Sequence, residues 1–213
     1  MTSIDHPIFN QSVQFIREQV GVTGLDPLQQ NVLERLIHAS GDFGIQSFLE
    51  FSPNSCLIGI AALQSGAPIL TDTLMAATAV APMAARTLNS KIYCALDWAP
   101  DRPQKGLTRS AIGMRKAWKE LSQEFRDKKS PIVLIGSAPT ALDVLLEIIS
   151  KSFLPPSLII GMPVGFINVI ESKKNLSDSN LPNIRLEGYR GGAGLAASVV
   201  NSLLKEAFKL HNN

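Results

Sequence analysis

The chain has 213 residues, 45% of them hydrophobic and 18% charged, and 20 lysines and arginines against 18 aspartates and glutamates leave a formal charge of +2. That length carries one sizeable core, expected as a single domain over residues 1–213, and so small a charge makes no electrostatic case for nucleic acid. The sequence has no run of 18 uncharged apolar residues to span a membrane, and its first ten residues lack the basic and apolar parts of a signal peptide, so a cytoplasmic protein is expected.

In chain order, Ser12 to Val20 reads as a helix, and Asp26-Pro27 as a cap followed by proline at the first helical position of a second. Leu28, Val32, Leu33, Leu36 and Ile37 give the second helix an apolar stripe at helical spacing, and Gly41 stops it. Ser55 to Gln64 is a helix of small and apolar residues, Pro68 to Thr71 a short buried strand ended by Asp72, and Met75 to Leu88 a helix interrupted by Pro82. Lys91 to Leu96 is a strand, Trp98 to Thr108 a loop, and Arg109 to Phe125 an amphipathic helix with Ile112, Ala117, Trp118 and Leu121 inward. Residues 126 to 130 form a solvated turn. Cys56 and Cys94 stand alone in apolar stretches and are expected as buried free thiols.

The last third repeats one pattern three times. The strands Pro131 to Ile135, Ser157 to Ile160 and Ile184 to Glu187 are each followed by a glycine turn and a helix, the helices covering Ala138 to Ser150, Phe166 onward, and Leu195 to Leu210. Such βα units build a mostly parallel sheet with helices on both faces, so the fold class is α/β with a helical N-terminal segment. Ligand sites in open α/β sheets lie beyond the C-terminal strand ends. Asp72, the 97–109 loop and the turns at 136–140, 161–165 and 188–194 are therefore expected on one rim.

Each glycine turn leads into a helix N-terminus, where unpaired N–H groups and the helix dipole favour an anion. The final turn, Gly188 to Gly194, does not have the dinucleotide spacing, and no Walker A pattern occurs. With no His-Glu-x-x-His, no Cys-x-x-Cys and no histidine cluster, a metal site is not expected. The chain has three histidines. One of them, His38, lies at the end of the second helix, nearly opposite its apolar stripe and beside Asn31, Glu34 and Arg35. That position suits a surface histidine whose cationic form the helix C-terminus stabilises. It suits equally a proton donor working near neutral pH.

Six segments taken together resemble the precorrin-8X methylmutase family of cobalamin biosynthesis. They are Arg-Leu-Ile-His-Ala-Ser-Gly-Asp-Phe at 35–43, Gly-Ala-Pro-Ile-Leu-Thr-Asp at 66–72, Gly-Leu-Thr-Arg-Ser at 106–110, Ile-Gly-Ser-Ala-Pro-Thr-Ala-Leu at 135–142, Ile-Ile-Gly-Met-Pro-Val-Gly-Phe at 159–166 with Glu-Ser-Lys at 171–173, and Arg-Gly-Gly at 190–192. The resemblance implies a homodimeric α/β isomerase that moves a methyl group between neighbouring carbons of ring C of a corrin precursor, giving hydrogenobyrinic acid or its cobalt form. It implies no organic cofactor, and any cobalt belongs to the substrate. By carry-over His38 is the catalytic proton donor. Arg109 and Ser12 match polar residues of the family's site, and Thr108, Ser110, Ser137, Thr140, Gly161 and Gly165 are substrate contacts by position, while Asp72 is either a cap for the next helix or a polar contact in the site. The chain departs from the family's usual residues at Ala79, Leu107 and Ser137, on the pocket wall. A corrinoid-binding or carrier protein without catalysis is the alternative reading.

Overall fold

A computed structural model describes residues 6–102, 106–125, 129–151 and 154–211. Pro103 of the expected loop and Arg126 to Lys128 of the expected turn lie outside the described residues.

Helix α1 runs from Pro7 to Val20, five residues earlier than the apolar pattern indicates. The signal is local: His6 caps it, its Nδ1 accepting from the Ile8 N–H, and proline takes the first position. Helix α2, Pro27–Ser40, opens with a capping box in which Asp26 accepts from Leu28 and Gln29 while Gln29 reaches back to the Asp26 N–H. It ends at Gly41, left-handed at φ 66°. Val32, Leu33, Leu36 and Ile37 are all buried. Glu34 is buried as well, because α1 covers that side of α2 and Arg17 meets its carboxylate with two hydrogen bonds of 2.6 and 3.0 Å.

A 3-10 turn at Phe43–Phe48 and strand β1, Leu49–Phe51, follow. Neither was legible in the sequence. Then come α3 (Ser55–Gln64), β2 (Ile69–Thr71), α4 (Leu74–Arg86), β3 (Ile92–Cys94), α5 (Arg109–Glu124), β4 (Ile132–Ile135), α6 (Pro139–Ser150), β5 (Leu158–Gly161), α7 (Val169–Ser177), β6 (Asn183–Leu186) and α8 (Ala193–His211). Pro82 is accommodated inside α4. Helix α7 starts at Val169, three residues later than expected, because Asn168 is left-handed at φ 58°.

The six strands order as β1-β6-β5-β4-β2-β3. All neighbours are parallel except β1, which pairs antiparallel with β6. Alternate residues feed opposite faces. Ile132, Leu134, Leu158 and Ile160 pack under α2, α3, α4 and α8. Val133, Ile135 and Ile159 pack under α5 and α6. Both cysteines are buried and free. Among the described residues no helix is long and apolar enough to cross a membrane.

Candidate functional site at the strand ends

The sheet reverses its winding between β2 and β4, and the crevice beyond that point is where open α/β sheets bind ligands. Here the chain fills it. Asp72, fully buried and one residue past β2, accepts at Oδ2 from the N–H groups of Gly136, Ser137 and Ala138 at 3.2, 2.7 and 2.9 Å. Asp72 does not cap the next helix, α4; it ties down the turn between β4 and α6. Burial pushes its carboxyl pKa up, while the three N–H groups pull against that. In the turn where an anion was expected, the N–H groups of residues 136–138 are thus taken by the protein's own carboxylate.

The other sequence-predicted residues fall into two groups. In the first, Thr108 caps α5 by accepting from the Ala111 N–H, and its Oγ1 lies 3.1 Å from Ser110 Oγ and 2.7 Å from Thr140 Oγ1. These hydroxyls border an open recess of about 420 Å³ whose wall includes Leu107, Asp143 and Val144. Arg109 is exposed and uses its Nε to hold the Pro100 carbonyl at 2.8 Å. Ser137 is half-buried, its N–H already taken by Asp72.

The second group surrounds His38, which is exposed in the last turn of α2. Its ring stands edge-on to Phe9, with centroids 4.8 Å apart. With Ser12, Ile8, Phe15, Ile37 and Phe43 it lines a groove of about 440 Å³ between α1 and the end of α2. Ser12 donates to the Ile8 carbonyl at 3.1 Å. The groove is tied to the rim by an ion pair. Asp42 Oδ2 meets Arg190 Nε at 3.2 Å, and the Arg190 guanidinium lies 4.5 Å above the Phe48 ring.

Two expected glycine contacts have other settings. Gly161 is the last residue of β5 and lies inside the ladder, where an added Cβ would sit 2.2 Å from Leu176 Cδ2. Gly165 does lie in the turn, at φ 146°, with its N–H directed at the Tyr189 carbonyl. That turn exposes Phe166 and Ile167 to 83% and 84%, and Phe166 meets Tyr189 with ring centroids 5.6 Å apart. Leu74, Met75 and Val164 add to this exposed apolar rim. Phe9, Asp42 and Arg190 were not among the expected site residues, because their roles depend on α1, α2 and the 188–192 turn meeting in space.

The fold and rim define a doubly wound α/β protein whose strand ends carry exposed apolar side chains, hydroxyls and arginines. The precorrin-8X methylmutase family matches residues 7–206, and the chain belongs to that family, whose members are isomerases that transfer a methyl group within one molecule. The cobalt-precorrin-8 methylmutase of Synechocystis sp. is 34% identical over 98% of this chain and 99% of its own length. The precorrin-8X methylmutase of Pseudomonas aeruginosa is 37% identical over 93% of this chain and 94% of its own. Among solved structures, the precorrin-8X methylmutase of Thermus thermophilus superposes with a TM-score of 0.82 at 32% identity, covering 95% of this chain and 98% of that one.

Proposed function

We propose that this chain catalyses the methyl migration on ring C of precorrin-8X, or of its cobalt form, with His38 as the proton donor. The observation that carries the role of His38 is its setting: an exposed imidazole at a helix C-terminus, facing an open groove and tied through Asp42 and Arg190 to the strand-end rim. Protonation of the macrocycle by His38 draws electron density toward ring C while the methyl group moves to the adjacent carbon. Substrate and product are isomers, so the proton given is regained within the turnover. One acid–base group therefore suffices, and the reading calls for no resident cofactor.

The substrate pairs an apolar ring with acetate and propionate arms. The apolar rim of Met75, Val164, Phe166 and Ile167 suits the ring, and Arg109, whose two terminal amino groups are not used in its bond to Pro100, suits a carboxylate. Ser12 lies in the His38 groove, while Thr108, Ser110 and Thr140 offer hydroxyls at the other end of the rim. Ser137 and the Gly161–Gly165 backbone complete the proposed contacts, with Asp72 holding the α6 turn beneath them. We place the reaction in the cytoplasm and in a homodimer.

His38→Ala tests the reading. Loss of a general acid costs about 100- to 10,000-fold in turnover. The variant is expected to lose that much in the absorption change of precorrin-8X while keeping product affinity. Wild-type protein that binds the pigment without converting either form would instead be a carrier, and turnover unaltered in His38→Ala would remove the histidine from the chemistry.

A further inference from the structure

Lys173 belongs to the Glu-Ser-Lys segment at 171–173, and no step of the proposed reaction uses it. Its exposure is 0%. On α7 it shares the inward face with Val169, Ser172 and Leu176, a place where an apolar residue is the ordinary occupant. Its Nζ donates to the carbonyl oxygens of Gly188 at 2.7 Å and Arg190 at 2.6 Å, both in the turn after β6. The same turn lies on the loop after β5, with the Gly192 N–H donating to the Met162 carbonyl at 2.9 Å. At Gly191 a Cβ would come within 2.1 Å of that carbonyl oxygen.

From this turn Arg190 reaches Asp42, whose other carboxylate oxygen accepts from the Gly44 N–H at 2.8 Å. Asp42 follows directly on Gly41, the left-handed residue that ends α2, and His38 sits in the last turn of that helix. An unbroken series of contacts thus joins a buried ammonium to the end of the histidine's helix.

We propose that Lys173 is a positioning residue of the methylmutase site: by holding the carbonyls of Gly188 and Arg190 it fixes the turn from which Arg190 anchors Asp42 and the helix end that carries His38. This rests on His38 being the acid. The carbonyls of half-buried Gly188 and exposed Arg190 converge on one donor, so an apolar side chain of the same length fills the space without holding the turn.

The buried ammonium also leaves a signature. Burial pushes its pKa down to about 8, opposed by Glu187. The charged groups on the elements around it are Arg185 and Glu187 on and after β6, Arg190 in the turn, Asp143 and Glu147 on α6, and Glu171 and Lys174 on its own helix. A lysine whose folded pKa of about 8 lies below the ordinary 10.5 gives up its proton sooner in the folded state. Its contribution to stability therefore rises between these two pH values.

The test compares Lys173→Met, Arg190→Met and the double variant in steady-state conversion of precorrin-8X, with product binding measured beside it. Each single variant is expected to lose turnover by about 10- to 100-fold, the size of effect a small misplacement of a catalytic group produces. Product affinity should stay within about twofold, and the double variant should be no slower than the slower single, as for residues acting through one contact. Unfolding of Lys173→Met should lack the rise in stability between a pH of about 8 and 10.5 that is expected of wild type. Should Lys173→Met fail to fold, Lys173→Gln, whose amide still donates to the carbonyls, is expected to keep part of the turnover. Wild-type turnover in Lys173→Met, or losses that multiply in the double variant, would overturn the proposal. His38→Ala run in parallel separates the two ideas, since turnover retained there defeats the histidine's role while the coupling of Lys173 to Arg190 is still read directly.

Discussion

Replacing Asp72 with alanine isolates the device that closes the switch point. The carboxylate serves three N–H groups through one oxygen, of which Gly136 is buried and Ser137 and Ala138 are half-buried. An unsatisfied buried donor costs about 1–3 kcal/mol. Water can reach the two half-buried donors, and removing a buried carboxylate recovers part of its desolvation cost. Together these leave about 2–3 kcal/mol of destabilisation, or roughly 4–12 °C in melting temperature for a chain of this size. Asp72→Asn keeps one acceptor oxygen and should lose about 1 kcal/mol or less.

The diagnostic arm is inorganic phosphate. The vacated N–H groups at the start of α6 form an anion seat, so millimolar phosphate should raise the melting temperature of Asp72→Ala more than that of wild type. The pH dependence follows from the raised carboxyl pKa. The folded state holds its proton above the ordinary 3.8, so wild type loses stability as pH climbs through the folded value, a slope Asp72→Asn lacks. Urea unfolding and thermal scans read all three effects. Asp72→Ala as stable as wild type and indifferent to phosphate would refute the reasoning.

Two further outcomes concern packing and charge. Gly191→Ala places a methyl group 2.1 Å from a backbone carbonyl oxygen that cannot rotate away, and overpacking of this kind costs about 1–3 kcal/mol in urea unfolding. Gly192→Ala meets no atom within 4 Å and pays only for φ 129°, so a comparison of the two separates contact from backbone strain. Arg17→Met removes both guanidinium bonds from the buried Glu34 carboxylate and leaves it the Gln30 bond at 3.0 Å. Because Arg17 is itself 58% exposed, the loss should be about 1–3 kcal/mol and not the larger cost of opening a fully buried pair. The double variant Arg17→Met/Glu34→Leu should recover most of it in the same unfolding assay.

Much of the fold was readable because its signals are local. Asp26-Pro27 and Gly41 bound α2, and Ser55 to Gln64 is a helix from end to end as read. The βα alternation after residue 130 implied the parallel sheet, since a strand and the next parallel strand need a crossover between them. Strand β1 was missed because its Leu-Glu-Phe lacks the continuous apolar run that marked β2, and only its pairing with β6, from Leu49 opposite Leu186 to Phe51 opposite Ile184, makes it a strand. Glu34 and Lys173 show a second kind of limit. Glu34 lies at a helical position that reads as polar and is buried by α1, whereas Lys173 falls in line with Val169 and Leu176 on the inward face of α7, a charge where the spacing calls for an apolar residue.

The candidate site divides along the same line. Sequence alone located His38 off the apolar stripe of α2 and ranked the strand-end turns as one rim, because helical and strand periodicities and the handedness of βα units follow from backbone geometry. It also carried the family resemblance, through six short segments spread over nearly the whole chain. Only the tertiary structure decided that Asp72 fills the anion seat of α6, that Arg190 ties the end of α2 to the rim, and that Lys173 holds the turn Arg190 comes from. Those three contacts join residues 65, 148 and 17 positions apart, where no local spacing rule reaches and where long-range packing alone chooses the partner.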